Sequence, residues 1–256
     1  MVRILVIGDV VSKEGCAFLR ERLPEIKRRY QVGIVIANGE NSAVGNGILP
    51  GSADYLFSSG VDIITTGNHV FKRREIYPYL DETPYIVRPA NYTEDAPGTG
   101  IAIYDALSFQ LAVINLQGTT YMEPLRSPFE TIDHLLASLD TPLVVVDFHA
   151  EATSEKNAMG YYLDGRVSAV FGTHTHVPTA DARILPNGTG YITDVGMTGP
   201  KESVLGVRPD CVIRRFTTHL PTRFEIEDSA CRMDTILLEL DEKTGKCNKI
   251  SQLNIE

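Results

Sequence analysis

Five short β-prone runs in this chain end on metal-ligand residue types, and this restricts the fold more than any other feature. Val167 to Val177 is the fullest case, an apolar run that closes on Gly172-Thr173-His174-Thr175-His176. Arg3 to Ile7 leads into Gly8-Asp9, and Gly33 to Ala37 into Asn38-Gly39-Glu40-Asn41. Val61 to Thr65 leads into Thr66-Gly67-Asn68-His69, and Leu143 to Asp147 into Phe148-His149-Ala150-Glu151. Runs of this composition are buried strands. In open α/β sheets, ligands bind at the carboxyl edge, where these runs would deliver Asp, Glu, Asn and His together.

Taken alone, each residue has a simpler account. Asp9 can cap a helix, Asn41 and Asn68 can sit in turns, His149 can be a core histidine, and Glu40 can be solvated. Seven such residues at five strand ends make those separate accounts a poor joint explanation. Three imidazoles, two carboxylates and two carboxamides exceed the needs of one tetrahedral zinc. They suit two divalent ions, and mixed nitrogen and oxygen ligands without thiolate favour manganese, iron or zinc over calcium or copper(I). Such a pair polarises a phosphoryl oxygen and makes hydroxide from a bridging water near neutral pH, so phosphate-ester hydrolysis is the natural reaction.

Composition narrows the partners. The 256 residues carry 24 Lys plus Arg against 33 Asp plus Glu, a formal net charge of −9. A long nucleic acid wants a basic face, so a polymeric substrate is not expected. The four cysteines Cys16, Cys211, Cys231 and Cys247 form no CxxC pair. Reduced thiols, no membrane-length run and an amino terminus that enters a strand at once lead to the expectation of a cytoplasmic protein.

Along the chain, Glu14 to Tyr30 has the period of an amphipathic helix, with Pro24 expected to kink or end it. Short helices are expected at Tyr55 to Ser59 and Arg73 to Leu80, and a longer one at Phe129 to Leu139. Pro84 to Gly100 reads as irregular, while Ile101 to Ala106 and Gln110 to Leu116 alternate as a hairpin. Ser154 to Arg166 is a short connecting segment. Strands are expected at Gly190 to Asp194, Cys211 to Phe216, Arg223 to Ile226, Thr235 to Leu240 and Lys246 to Leu253. One domain over residues 1–256 follows, an α/β fold of two β-sheets packed together with helices outside, whose βα first half gives way to a mostly antiparallel second half.

The ordered set Gly8-Asp9, Gly39-Glu40-Asn41, Gly67-Asn68-His69, His149 and Gly172-Thr173-His174-Thr175-His176 resembles the calcineurin-like metallophosphoesterases. Ile7-Gly8-Asp9-Val10-Val11, Val87-Arg88-Pro89-Ala90-Asn91, Asp147 to Lys156 and Thr193 to Pro200 are similar to the bacterial YmdB-type branch, from end to end of the chain. The resemblance implies a four-layer αββα sandwich of two mixed β-sheets flanked by helices. It also implies a dinuclear iron or manganese phosphodiesterase acting on small cyclic nucleotides, notably 2′,3′-cyclic ones, through attack of a metal-bridging hydroxide. Carried over by position, Asp9, Asn41 and His176 would hold one metal. Asn68, His149 and His174 would hold the other, with Glu40 bridging and His69 as general acid. Val11 stands where the superfamily has a histidine, and Asn41 takes that role. Val70 replaces the acidic residue that follows Gly-Asn-His, which leaves the partner of His69 open.

Other residues carry smaller expectations. Arg88 and Lys156 would contact phosphate or, more commonly, form surface ion pairs, and Tyr121 would stack on a base. His134 and His219 read as structural or exposed, and Ser154 and Cys16 lack the neighbouring base a nucleophile needs. Two competing readings use the same site, a phosphomonoesterase or nucleotidase and a metal-holding nucleotide sensor with incidental turnover. An amidohydrolase barrel places His-x-His on its first strand, and a metallo-β-lactamase needs aspartate where Pro178 stands, so both are set aside. A homo-oligomer is compatible with the sequence.

Overall fold

The computed structural model describes residues 1–256. Its elements, in order, begin with β1 (Val2–Ile7), β2 (Asp9–Val10), α1 (Ser12–Tyr30), β3 (Ile34–Asn38), α2 (Pro50–Ser58), β4 (Ile63–Thr65), α3 (Ile76–Glu82) and β5 (Ile86–Val87). The hairpin β6 (Ile101–Asp105) and β7 (Gln110–Gln117) follows, then α4 (Pro128–Leu136), β8 (Leu143–His149), α5 (Thr153–Leu163) and β9 (Ala169–Thr173). The last elements are β10 (Arg183–Ile184), β11 (Gly190–Ile192), β12 (Met197–Pro200), α6 (Pro209–Thr218), β13 (Cys231–Leu240) and β14 (Cys247–Ile255).

The strands form two mixed sheets. One has the order β2-β12-β13-β1-β3-β4-β5, with β14 paired to β13, and the other has the order β10-β11-β9-β8-β7-β6. Side chains alternate across a strand, so each strand feeds two cores. Ile4, Val6, Ile34 and Ile36 of the first sheet pack between the sheets against Val113, Val145 and Phe171 of the second. Their alternates Leu5, Ile7, Val35 and Ala37 pack outward against Leu19, Leu23 and Ile26 of α1. On the far side Val144, Val146 and Phe148 pack against Met159 and Leu163 of α5. Three cores separate four layers, which is the expected αββα sandwich.

Several expectations need correction. Helix α1 does not end at Pro24 but continues to Tyr30, because Leu19, Leu23 and Ile26 bury one face against the sheet and that packing outweighs the lost backbone bond. Cys211 to Phe216 is helical within α6 and not a strand, despite its β-prone residues. Pro209 in the first turn of α6 supplies a preset helical φ. Arg223 to Ile226 is no strand either, making only a bridge from Ile226 to Val207. The connecting segment Ser154 to Arg166 is mostly helix α5. Beyond β9 the pairing is mostly antiparallel, as expected, in β10 with β11, β12 with β13 and β13 with both β14 and β1, while β11 joins β9 and β12 joins β2 in parallel. No helix is long and apolar enough to cross a membrane, and all four cysteines are free.

Candidate active site

The site lies where the inner faces of both sheets run out at their carboxyl ends. In β8, Leu143 and Val145 face the core between the sheets, so the same alternation puts Asp147 and His149 on that face. Thr173 follows Ala169 and Phe171 on β9 in the same way, and Asn38 follows Ile34 and Ile36 on β3. These polar ends close the gap between the sheets. Asn38 Nδ2 donates to Asp147 Oδ2 at 3.3 Å and to Thr173 Oγ1 at 3.4 Å.

All eight residues expected from the sequence meet here. His149 Nε2 is 3.2 Å from Glu40 Oε1, 2.9 Å from Asn68 Oδ1 and 3.1 Å from His174 Nδ1. One ring nitrogen carries at most one proton and cannot serve three partners, so these donor atoms converge on a common point. On the other side of Glu40, His176 Nε2 lies 3.5 Å from Asp9 Oδ1 and 3.3 Å from Asn41 Nδ2. Asp9 Oδ1 and His176 Nδ1 are buried without a hydrogen-bond partner. The orphaned carboxylate oxygen Asp9 Oδ1, inside a convergent oxygen and nitrogen set, fits a bound cation, and the residues present fit the two-metal centre that the sequence implies. Glu40, His149 and His174 offer ligand atoms that all lie within 4.8 Å of one another.

His69 stands apart from that trio. Its Nδ1 is 2.8 Å from Asn41 Oδ1 and 3.2 Å from Glu40 Oε1, and its backbone N–H donates to Glu40 Oε2 at 2.8 Å. Asn41 and Glu40 therefore orient the ring, which answers what replaces the acidic neighbour missing at Val70. The ring lines a cleft of about 1120 Å³ with Glu40, Asn41, His174 and His176.

The charges of the cluster compensate one another. Burial would push the Glu40 carboxyl up, but His149 and His69 outweigh it and hold it well below the usual carboxylate range. Burial likewise opposes ionisation of Asp9, and His176 reverses it and keeps Asp9 low. Burial would depress His149, yet Glu40, Asp9 and Asp147 raise it to about 9. Burial and the neighbouring His149 push His174 down to about 4. Two buried carboxylates thus demand positive charge at this point.

Groups that the sequence did not single out set the ring orientations. His149 Nδ1 contacts Thr173 Oγ1 at 2.9 Å, and Thr173 Oγ1 donates to Asp147 Oδ1 at 2.7 Å. That chain leaves His149 Nε2 for the cluster, as outer partners of ligating histidines do. His174 Nε2 is 3.1 Å from Glu151 Oε2, which likewise turns Nδ1 inward. The signal for Asp147 was available, two residues before His149 and so on its face.

Backbone demands are equally local. A Cβ on Gly67 would overlap the His149 imidazole, so this glycine is required by close approach. His174 and His176 both have positive φ, 99° and 62°, which costs on the order of 1–3 kcal/mol each and needs support. Lys156 supplies it. Its Nζ donates to Thr173 O at 2.8 Å and to Asp194 Oδ2 at 2.6 Å, while Asp194 accepts from Thr175 N and Gly196 N.

Lys156 is thus neither at the surface nor at a phosphate position, contrary to both expectations; it is 1% exposed. Arg88 is buried as well, donating to the carbonyls of Pro89, Thr93, Ala96 and Pro97 and so pinning the irregular stretch after β5. Tyr121 is exposed and does not line the cleft. His134 and His219 are exposed, as expected, and burial pushes the Cys16 thiol up to about 12, which removes it as a nucleophile.

Residues 5–253 match the YmdB-like protein family. The chain belongs to that family. A Bacillus subtilis (strain 168) relative named 2′,3′-cyclic-nucleotide 2′-phosphodiesterase is 48% identical over 256 residues, covering 99% of this chain and 97% of its own. Two solved structures share the YmdB-like fold closely. A hypothetical protein from Thermus thermophilus has a TM-score of 0.93 at 42% identity, over 99% of this chain and 98% of its own. A phosphatase from Mycoplasma pneumoniae has a TM-score of 0.94 at 36% identity, over 99% and 93%.

Proposed function

We propose that this YmdB-like chain is a phosphoric diester hydrolase that opens small cyclic nucleotides, 2′,3′-cyclic ones above all and 3′,5′-cyclic ones as a further class, on a two-metal centre. The observation that carries the reading is the convergence on His149 Nε2, with Glu40 between two histidine sets. The name of the Bacillus subtilis relative supports the substrate class. Asp9, Asn41 and His176 would hold one metal, Asn68, His149 and His174 the other, and Glu40 both. Bound there, two divalent transition metals, iron or manganese before zinc, supply Lewis acidity toward a phosphoryl oxygen and acidify water.

The chain's own residues do the rest. Asp147 through Thr173, and Glu151 directly, fix the tautomers and planes of His149 and His174. His69, held at Nδ1 by Asn41 and Glu40, keeps Nε2 for the cleft and delivers its proton to the leaving alkoxide. Val11 and, from the arm after β12, Val204, Leu205 and Val207 also line the cleft.

The test is a product analysis on 2′,3′-cyclic and 3′,5′-cyclic nucleotides, linear diesters and monoesters. Opening of the cyclic diester to a monophosphate is expected. Release of inorganic phosphate from monoesters alone would make the chain a nucleotidase, and tight binding with negligible turnover would make it a sensor.

A further inference from the structure

The cleft is larger than a phosphate needs. At about 1120 Å³ it stands at the upper end of small-molecule sites, so it has room for the remainder of a substrate. Its floor is the histidine and carboxylate cluster, and its outer wall is the arm between β12 and β13, which carries α6. Val212 and Phe216 line the cleft from α6 at helical i, i+4 spacing, and Phe224 lines it from the returning segment. The two phenyl rings are 73% and 53% exposed, a large apolar area for a wall that faces a charged floor. Ile213, next to Val212, is also exposed but does not line the cleft, so the apolar wall is a separate face of the helix.

We propose that Phe216 and Phe224 form a base-stacking subsite that selects nucleoside diesters over base-free ones, a role that rests on the hydrolase reading above. The occupant is the nucleobase of the substrate whose phosphate lies on the cluster, because wall and floor belong to one continuous cleft. An aromatic platform accepts the π-face of any base, so the subsite distinguishes nucleotides from other phosphodiesters and tolerates different bases. Neither ring is buried, so truncating either leaves the folded core intact.

The experiment compares wild type, Phe216→Ala, Phe224→Ala and the control Ile213→Ala in the metal-loaded protein. Steady-state kinetics use adenosine 2′,3′-cyclic phosphate and the base-free glycerol 1,2-cyclic phosphate. Each phenylalanine variant should raise KM for the nucleotide about tenfold and leave the glycerol diester and both kcat values unchanged. Calorimetric binding of adenosine 3′-phosphate, which needs no turnover, should weaken by the same factor. Equal losses on both diesters, or unchanged nucleotide KM and unchanged binding, overturn the subsite. A changed oligomeric state in the phenylalanine variants on a sizing column also overturns it, by assigning the wall to a second copy of the chain. If the wild type hydrolyses neither diester, the hydrolase reading fails while the calorimetry still decides the subsite.

Discussion

The two walls of the cleft are built on opposite principles. The inner wall is a meeting of strand ends, where Glu40 is 1% and His149 0% exposed and side chains from different strands bond one another, as Asn38, Asp147, Thr173 and His149 do. The outer wall is the arm from Lys201 to Ala230, closed on itself by backbone bonds such as Arg208 N to Glu225 O and Lys201 N to Ala230 O. Reaction chemistry needs donors fixed to within a fraction of an ångström, which packed elements supply better than loops. Recognition of the rest of a substrate tolerates looser walls. Substitutions in the inner wall should therefore be felt in rate and stability, and those in the outer wall in neither.

The largest effect is expected at His69. His69→Ala should lower kcat about 10²–10⁴-fold while the metal content stays at the wild-type value. The loss should shrink for a nitrophenolate leaving group, which needs little protonation. Comparing alkyl and nitrophenyl diesters checks this, and loss of a metal or equal losses on both esters would make His69 a ligand or a positioning residue.

Next comes the buried ion pair behind the two strained histidines. Lys156→Met strands Asp194, whose carboxyl burial already pushes up against the pull of Lys156, and should destabilise the fold by about 3–5 kcal/mol. Urea unfolding reads this directly, and a change below about 1 kcal/mol would show that the His174 to His176 loop holds itself. Gly67→Ala should cost about 1–3 kcal/mol, because the new methyl displaces the His149 ring, and should weaken metal binding with it. The smallest effect belongs to the outer wall. Ile213→Ser should shift unfolding stability by no more than about 0.5 kcal/mol, and a larger drop would place α6 in the packed structure.

The same division governs what the sequence revealed. The strand ends were legible because buried strands announce themselves as apolar runs and glycine marks the turn, so Asp9, Glu40, the asparagines and the histidines stood out there, and the resemblance then divided them between two metals and gave His69 its role. Two packed sheets with helices outside were legible from the run of helices and strands, and the resemblance added the αββα sandwich of mixed sheets, but periodicity finds strands without their partners. Strand order escaped, and with it the parallel pairing of β9 to β11. Helix α6 was misread because Cys211, Val212, Ile213 and Phe216 favour strands, while Pro209 and the spacing of Val212 to Phe216 carried the better signal. Lys156 and Arg88 were misread because a charged side chain is seldom buried, and only the structure brings Asp194 or four carbonyls to meet it.

Five strand ends that assemble one two-metal centre would share Glu40 between its halves. Metal analysis of purified wild type and Glu40→Ala, with folding checked by circular dichroism, tests this most directly. Two transition-metal ions per chain are expected in the wild type, with both sites depleted in the folded variant. Two fully occupied sites in Glu40→Ala would contradict the bridge, and a single ion in the saturated wild type would contradict the centre itself.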